Sequence, residues 1–212
     1  MKKIIAGCLF LAASGIASAS NLLINGSFEN PTQAEGTWKV YASIPGWTTT
    51  TGPGLEIRNS IVGEAQDGQN FVELDSHYAT DTNSAITQTI SGLTAGATYE
   101  VSYWYSPRIN QPTTTNWIKA LWNGTEQGAV SGKGGSANNW INYTFLVTAL
   151  TGTNSLTFSA FGTDDSLGGN IDNVSLSAVP LPAAAWLFGS ALLGFGAVRR
   201  KQKAGSSNMA VS

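Results

Sequence analysis

The side chains best placed to do chemistry lie around one alternating segment, Tyr99-Glu100-Val101-Ser102-Tyr103-Trp104-Tyr105. In an extended strand, neighbouring side chains point to opposite faces. Tyr99, Val101, Tyr103 and Tyr105 then share one face. Glu100, Ser102 and Trp104 share the other, with Arg108 just past the strand end. A tryptophan on an otherwise polar face needs a cover or a ligand. An indole can take the C–H side of a sugar ring while carboxylate, amide and guanidinium groups bond its hydroxyls. Trp104, Arg108 and Glu100 are therefore candidate ligand contacts; a loop laid over the ring, or a sandwich packed on both faces, is the alternative. Asp75 and His77 join them, in the polar loop Asp75-Ser76-His77-Tyr78 that follows an apolar run. Loops carry binding groups disproportionately, although a solvated turn is the competing account.

Other chemistries are excluded by what is missing. The one cysteine is Cys8 and the one histidine His77, so a disulfide framework, a Cys/His zinc site and a Cys–His nucleophile pair are all ruled out. Glu56, Glu64, Asp67, Glu73 and Asp75 supply carboxylates, but no catalytic signature surrounds them and there is no Gly-x-Ser-x-Gly elbow. The expectation is a protein that is not an enzyme, with a small glycan-acting hydrolase as the remote alternative. The formal net charge is −2 over 212 residues, but the cations crowd the ends as Lys2, Lys3, Arg199, Arg200, Lys201 and Lys203. Residues 20–178 keep 5 basic against 13 acidic side chains. Nucleic acid is a poor partner for such a surface.

The elements that must position these residues read as short strands. Runs rich in β-branched and aromatic residues alternate with Gly, Asn, Thr and Pro punctuation over 20–178. Besides 99–105, alternation marks strands at 141–147 and 156–160, and further strands are expected near 22–24, 55–58, 70–75, 84–90, 117–122 and 171–177. About nine strands in one domain predict an all-β, jelly-roll-like antiparallel sandwich. The threonine runs 48–51 and 113–115 read as polar loops or strand edges. Trp47, after a Pro-Gly turn, and Trp140 are expected to plug the core.

Both ends carry addresses. Residues 1–19 read as a signal peptide, with Lys2-Lys3, an apolar run from Ile4 to Ile16, and Ala17-Ser18-Ala19 as the cleavage site. At the other end Val179-Pro180-Leu181-Pro182 precedes the uncharged run 183–198, and Arg199-Arg200-Lys201 follows at once. Counted from Val179, a helix here is about 30 Å long, the thickness of the hydrocarbon core. The positive-inside rule keeps the arginines and the short tail 204–212 in the cytoplasm, so 20–178 faces out. A buried helix closing the domain is the alternative for this segment.

Two resemblances follow from these residues. The proline motif, apolar helix and arginine cluster over 179–203 resemble the PEP-CTERM sorting signal of Gram-negative bacteria that make exopolysaccharide, with Leu181 where that family has a glutamate. The resemblance implies temporary anchoring in the inner membrane, cutting or transfer by an exosortase-type protease, and release to the cell surface or matrix. The middle domain resembles carbohydrate-binding-like domains of the galactose-binding jelly-roll fold, including the DUF642 group. The matching stretches are Asn21 to Glu29, Pro45-Gly46-Trp47, Asp67 to Leu74, Thr98 to Tyr103 and Ile171 to Leu176. It implies an extracellular polysaccharide as partner, with a structural matrix or adhesion protein as the alternative. It also implies a structural calcium ion at Glu29 and Asp172, helped by backbone carbonyls near Ser27, Glu35 or Asn170. The alternative to that ion is that Glu29 caps a turn and Asp172 bonds neighbouring amides.

Overall fold

A computed structural model describes residues 20–77 and 83–179. The expected signal peptide 1–19, the run 183–198 and the motif beyond Val179 lie outside the described residues. No helix among the described residues is long and apolar enough to cross a membrane. The unit that holds the sandwich ends at Ala178.

Among the described residues twelve strands form two six-stranded sheets. Sheet A takes β1 (Thr37–Tyr41), β4 (Leu55–Asn59), β5 (Asn70–Glu73), β12 (Asn170–Ala178), β7 (Thr98–Ser106) and β10 (Ile141–Thr148), in that spatial order. Sheet B takes β2 (Ser43–Ile44), β3 (Trp47–Thr51), β6 (Ala85–Ile90), β11 (Asn154–Ala160), β8 (Ile118–Trp122) and β9 (Thr125–Val130). Every neighbouring pair is antiparallel. From β5 onward the chain passes from one sheet to the other at nearly every step, the jelly-roll habit. The architecture is an all-β sandwich, as the alternation predicts.

Period-2 patterning explains the core. On β7, Tyr99, Val101, Tyr103 and Tyr105 turn inward, and on β11 Leu156, Phe158 and Ala160 do the same. Trp47 is fully buried between Phe28 and Phe158, at 5.5 and 6.1 Å between ring centroids, and its indole N–H donates to the Asn25 carbonyl. It is the core plug expected of it.

Four expectations need correction. The run 22–24 forms no strand. Instead the Leu22 N–H donates to the Leu176 carbonyl and the Asn21 amide to Val174, while positive φ at Asn25 and Phe28 keeps the backbone irregular. The threonine run 48–51 lies within β3, between β2 and β6, whereas 113–115 is a polar turn as expected, wound as a short 3-10 helix. β1, β2 and β9 add to the expected strands; they are short or largely exposed, and with five of the six residues of β9 exposed nothing alternates there. Trp140 is not in the core at all. It is half-buried outside sheet A, edge-on to Phe71 at 6.0 Å.

Candidate functional site

The outer face of sheet A gathers most of the residues with chemical character. Register places Trp38 of β1 opposite Arg58 of β4, and Arg58 opposite Phe71 of β5. Asp172 of β12 lies opposite Trp104 of β7, which in turn lies opposite Asn142 of β10. One level away, Glu56 faces Glu73, and Asn170 sits between Glu73 and Ser106. Inward neighbours such as Ile57, Val72 and Ile171 belong to the core, so all these side chains point away from it.

β4 and β5 are buried on both faces, which is unusual for an antiparallel sheet with a solvated side. Loops roof the outer face. The 60–66 segment is tied down where the Trp140 indole donates to the Glu64 carbonyl and Asn138 accepts from the Glu64 amide. Asn138 and Asn139 are held in turn by the Ser106 hydroxyl. Between these loops lies a cleft of about 480 Å³, lined by Glu64, Ala65, Ile109, Asn138 and Trp140 among others.

Under the roof sits a closed ionic cluster. Arg58 bonds Glu56 at 2.5 Å and Glu73 at 3.0 Å, and Arg108 Nη1 reaches both oxygens of Glu73 at 2.5 and 2.6 Å. Glu56 and Glu73 have no exposed surface. Burial carries the Glu73 carboxyl up to about 8, against the downward pull of the Arg58 and Arg108 guanidinium groups. Arg108 also donates to the Ser166 carbonyl, and Glu73 accepts the Gly168 N–H. The cluster therefore fastens the 164–168 loop to β4 and β5.

The proposed ligand residues divide accordingly. Trp104 and Glu100 stand on the outer face as expected, Trp104 half-buried and Glu100 exposed. Arg108 is engaged by Glu73 within the ionic cluster. Asp75 is buried and accepts the amides of Asp165 and Leu167, so it too holds the 164–168 loop. His77 is exposed, and its ring meets Trp38 at 5.0 Å and 60°. The His77 amide donates to Glu56 at 2.6 Å, which anchors this pair to the ionic cluster. Trp38 is 40% exposed, and no apolar–polar alternation marks β1, the strand that carries it. Its one signal was a large ring between polar neighbours, Thr37 and Lys39.

Glu29 and Asp172 act on one loop. Glu29 Oε1 accepts the amides of Gln69 and Asn70 at 2.9 and 2.7 Å. Asp172 Oδ2 accepts those of Gln66 and Asp67 at 2.8 and 2.9 Å, and Oδ1 accepts that of Asn173 at 2.6 Å. This is the amide-binding arrangement. Gly68 permits it: its φ is +70°, and a Cβ there would stand 2.5 Å from the Glu29 carboxyl. Burial pushes Asp172 up to about 7, with the amides of Asp67, Asn173 and Gln66 opposing the rise. Among the described residues no group of three or more His, Cys, Asp or Glu side chains is gathered as a metal would require.

No protein-family model matches the chain. It is similar to part of a multifunctional-autoprocessing repeats-in-toxin of Vibrio vulnificus, 29% identical over 164 residues, which is 76% of this chain and 3% of that protein. The protein of the same name in Vibrio cholerae serotype O1 is 28% identical over 158 residues, again over 3% of its length. The chain thus spans about 3% of the length of the curated relatives it matches. Among solved structures, a cyclase from Fischerella sp. TAU in complex with 4-(1H-indol-3-yl)butan-2-one matches with a TM-score of 0.56 at 16% identity, over 77% of this chain and 100% of its own. An arabinose-bound α-L-arabinofuranosidase matches with a TM-score of 0.52 at 15% identity, over 77% of this chain and 27% of its own. Likeness at such identity speaks for the two-sheet fold alone.

Proposed function

We propose that this chain is an exported, non-catalytic module that binds or organises extracellular polysaccharide through aromatic rings on the outer side of sheet A. The observation that carries the reading is the exposed Trp38–His77 pair, with half-buried Trp104 on the same face of the sheet. β1 and β7 are four strand spacings apart, about 19 Å, so the two indoles span the length of a short oligosaccharide. Glu100, Ser102 and Asn142 stand beside Trp104 to meet hydroxyls. The burial of Glu56 and Glu73, both held by arginine, supports a face that binds and does not cleave.

Export through a PEP-CTERM-type signal and temporary anchoring by residues 183–198 complete the proposal, on the sequence pattern already described. Calcium at Glu29 and Asp172 belongs to it as well. To bind there the ion must replace amide contacts of the 66–70 loop with carbonyl ligands.

The test is affinity electrophoresis of the full chain through gels carrying neutral and acidic polysaccharides, with calcium or with chelator. Retardation by at least one polymer is expected, lost in Trp104→Ala and Trp38→Ala. Uniform mobility on every polymer would leave the structural matrix role. Reducing-sugar release that disappears in Glu73→Gln would replace binding with hydrolysis. Retardation indifferent to chelator would remove calcium from the reading.

A further inference from the structure

Four strands end the two sheets, and three of them are blunted against pairing with another chain. β1 has five residues and carries Lys39, β2 has two, and β9 carries Glu126 and breaks register against β8 between Ala120 and Leu121. Short length, charge and bulges are the usual devices that keep an open strand from templating a partner. β10 has none of them. Its eight residues, Ile-Asn-Tyr-Thr-Phe-Leu-Val-Thr, pair one to one with β7 without a break and include no charge, proline or glycine. Ile141 is 43% and Leu146 60% exposed, and Tyr143 and Phe145 are only half-buried against the core.

We propose that β10 is a dimerisation edge that pairs antiparallel with β10 of a second copy of this chain, about a two-fold axis at Thr144. The sequence of the strand is complementary to itself in that register. Ile141 meets Val147 and Tyr143 meets Phe145 on the core side, while Asn142 meets Leu146 and Thr144 meets Thr144 outside. Side chains keep their faces, as a register must, and apolar residues meet apolar ones inside. Centring the pairing one residue further on would use Thr148, whose carbonyl already accepts the Trp122 indole N–H at 3.0 Å, and would leave Ile141 uncovered. The isologous contact closes on itself, so one dimer forms and no fibre.

Pairing in this register joins the outer faces of two A sheets into one twelve-stranded surface. Trp104 and Asn142 of one copy then lie level with Leu146 and Glu100 of the other. The inference stands without the polysaccharide reading, since its test is assembly state alone.

The full chain in mild detergent is expected to sediment as a dimer at micromolar concentration. Thr144→Lys sets like charges directly opposite each other, and Leu146→Lys charges the exposed rim; each is expected to give a folded monomer with the parent's far-ultraviolet circular dichroism, its melting temperature no longer dependent on protein concentration. With Cys8→Ser as parent, Thr144→Cys is expected to form a disulfide-linked dimer under mild oxidation, because directly opposed residues bring Cβ atoms within disulfide reach. Thr89→Cys, exposed on sheet B, is expected to remain uncrosslinked. A monomeric parent overturns the proposal, as does a dimer that survives both lysine substitutions or an uncrosslinked Thr144→Cys.

Discussion

Asp172 shows how one side chain can tie distant segments together and report on pH. It stands at the β-bulge of β12, where Asn173 takes a φ of 45°, and it gathers the amides of Gln66, Asp67 and Asn173. Burial lifts its folded pKa to about 7, above the ordinary aspartate value of 3.8. Between those values the folded state holds a proton that the unfolded chain has released. The contribution of this group is therefore fully present below about pH 4 and lost as pH rises through about 7. Urea unfolding across that window is expected to show stability falling with pH, and Asp172→Asn is expected to flatten the fall. An unchanged slope in the variant would place the titration elsewhere.

At the scale of elements, the ionic cluster decides how the sandwich is closed. Glu56, Arg58 and Glu73 come from β4 and β5, Arg108 from the segment after β7, and their bonds reach the 164–168 loop. Removing one member of a buried set leaves the others uncompensated, at a cost of about 3–5 kcal/mol. Arg58→Met, which leaves buried Glu56 without its guanidinium and takes one of two from Glu73, is expected to lose stability of that size by chemical denaturation. A loss within about 0.5 kcal/mol, the range of surface changes, would mean the cluster is solvated in the working protein. The same elements show what a sequence reveals unevenly. β7, β10 and β11 were legible because one face is apolar and the other polar. β4 and β5 read as strands too, but nothing in Leu55–Asn59 announces that Glu56 and Arg58 are buried, since burial comes from loops far away in sequence.

For the molecule as a whole, the acidic middle and cationic ends set the next expectation. If export and sorting operate, intact-mass measurement of the mature protein shows loss of residues 1–19 and of everything beyond about Val179. A cell fraction holding the untrimmed chain in the cytoplasm would remove the exported reading entirely. The dimer edge and the aromatic face are separate properties of the sandwich, so either can fail without the other.

By itself the sequence determined the two-sheet class, the inward faces of the main strands, the core place of Trp47 and the outward place of Trp104, since these follow from period-2 alternation within single segments. Only the tertiary structure decided where Arg108 and Asp75 point, that Trp38 meets His77, that Trp140 roofs Phe71, and that Glu29 and Asp172 hold one loop. Each of those depends on strands brought together from across the chain, as Asp172 and Gln66 are, 106 residues apart. Local alternation sets which face a side chain takes, whereas sheet order and loop path set what it meets there.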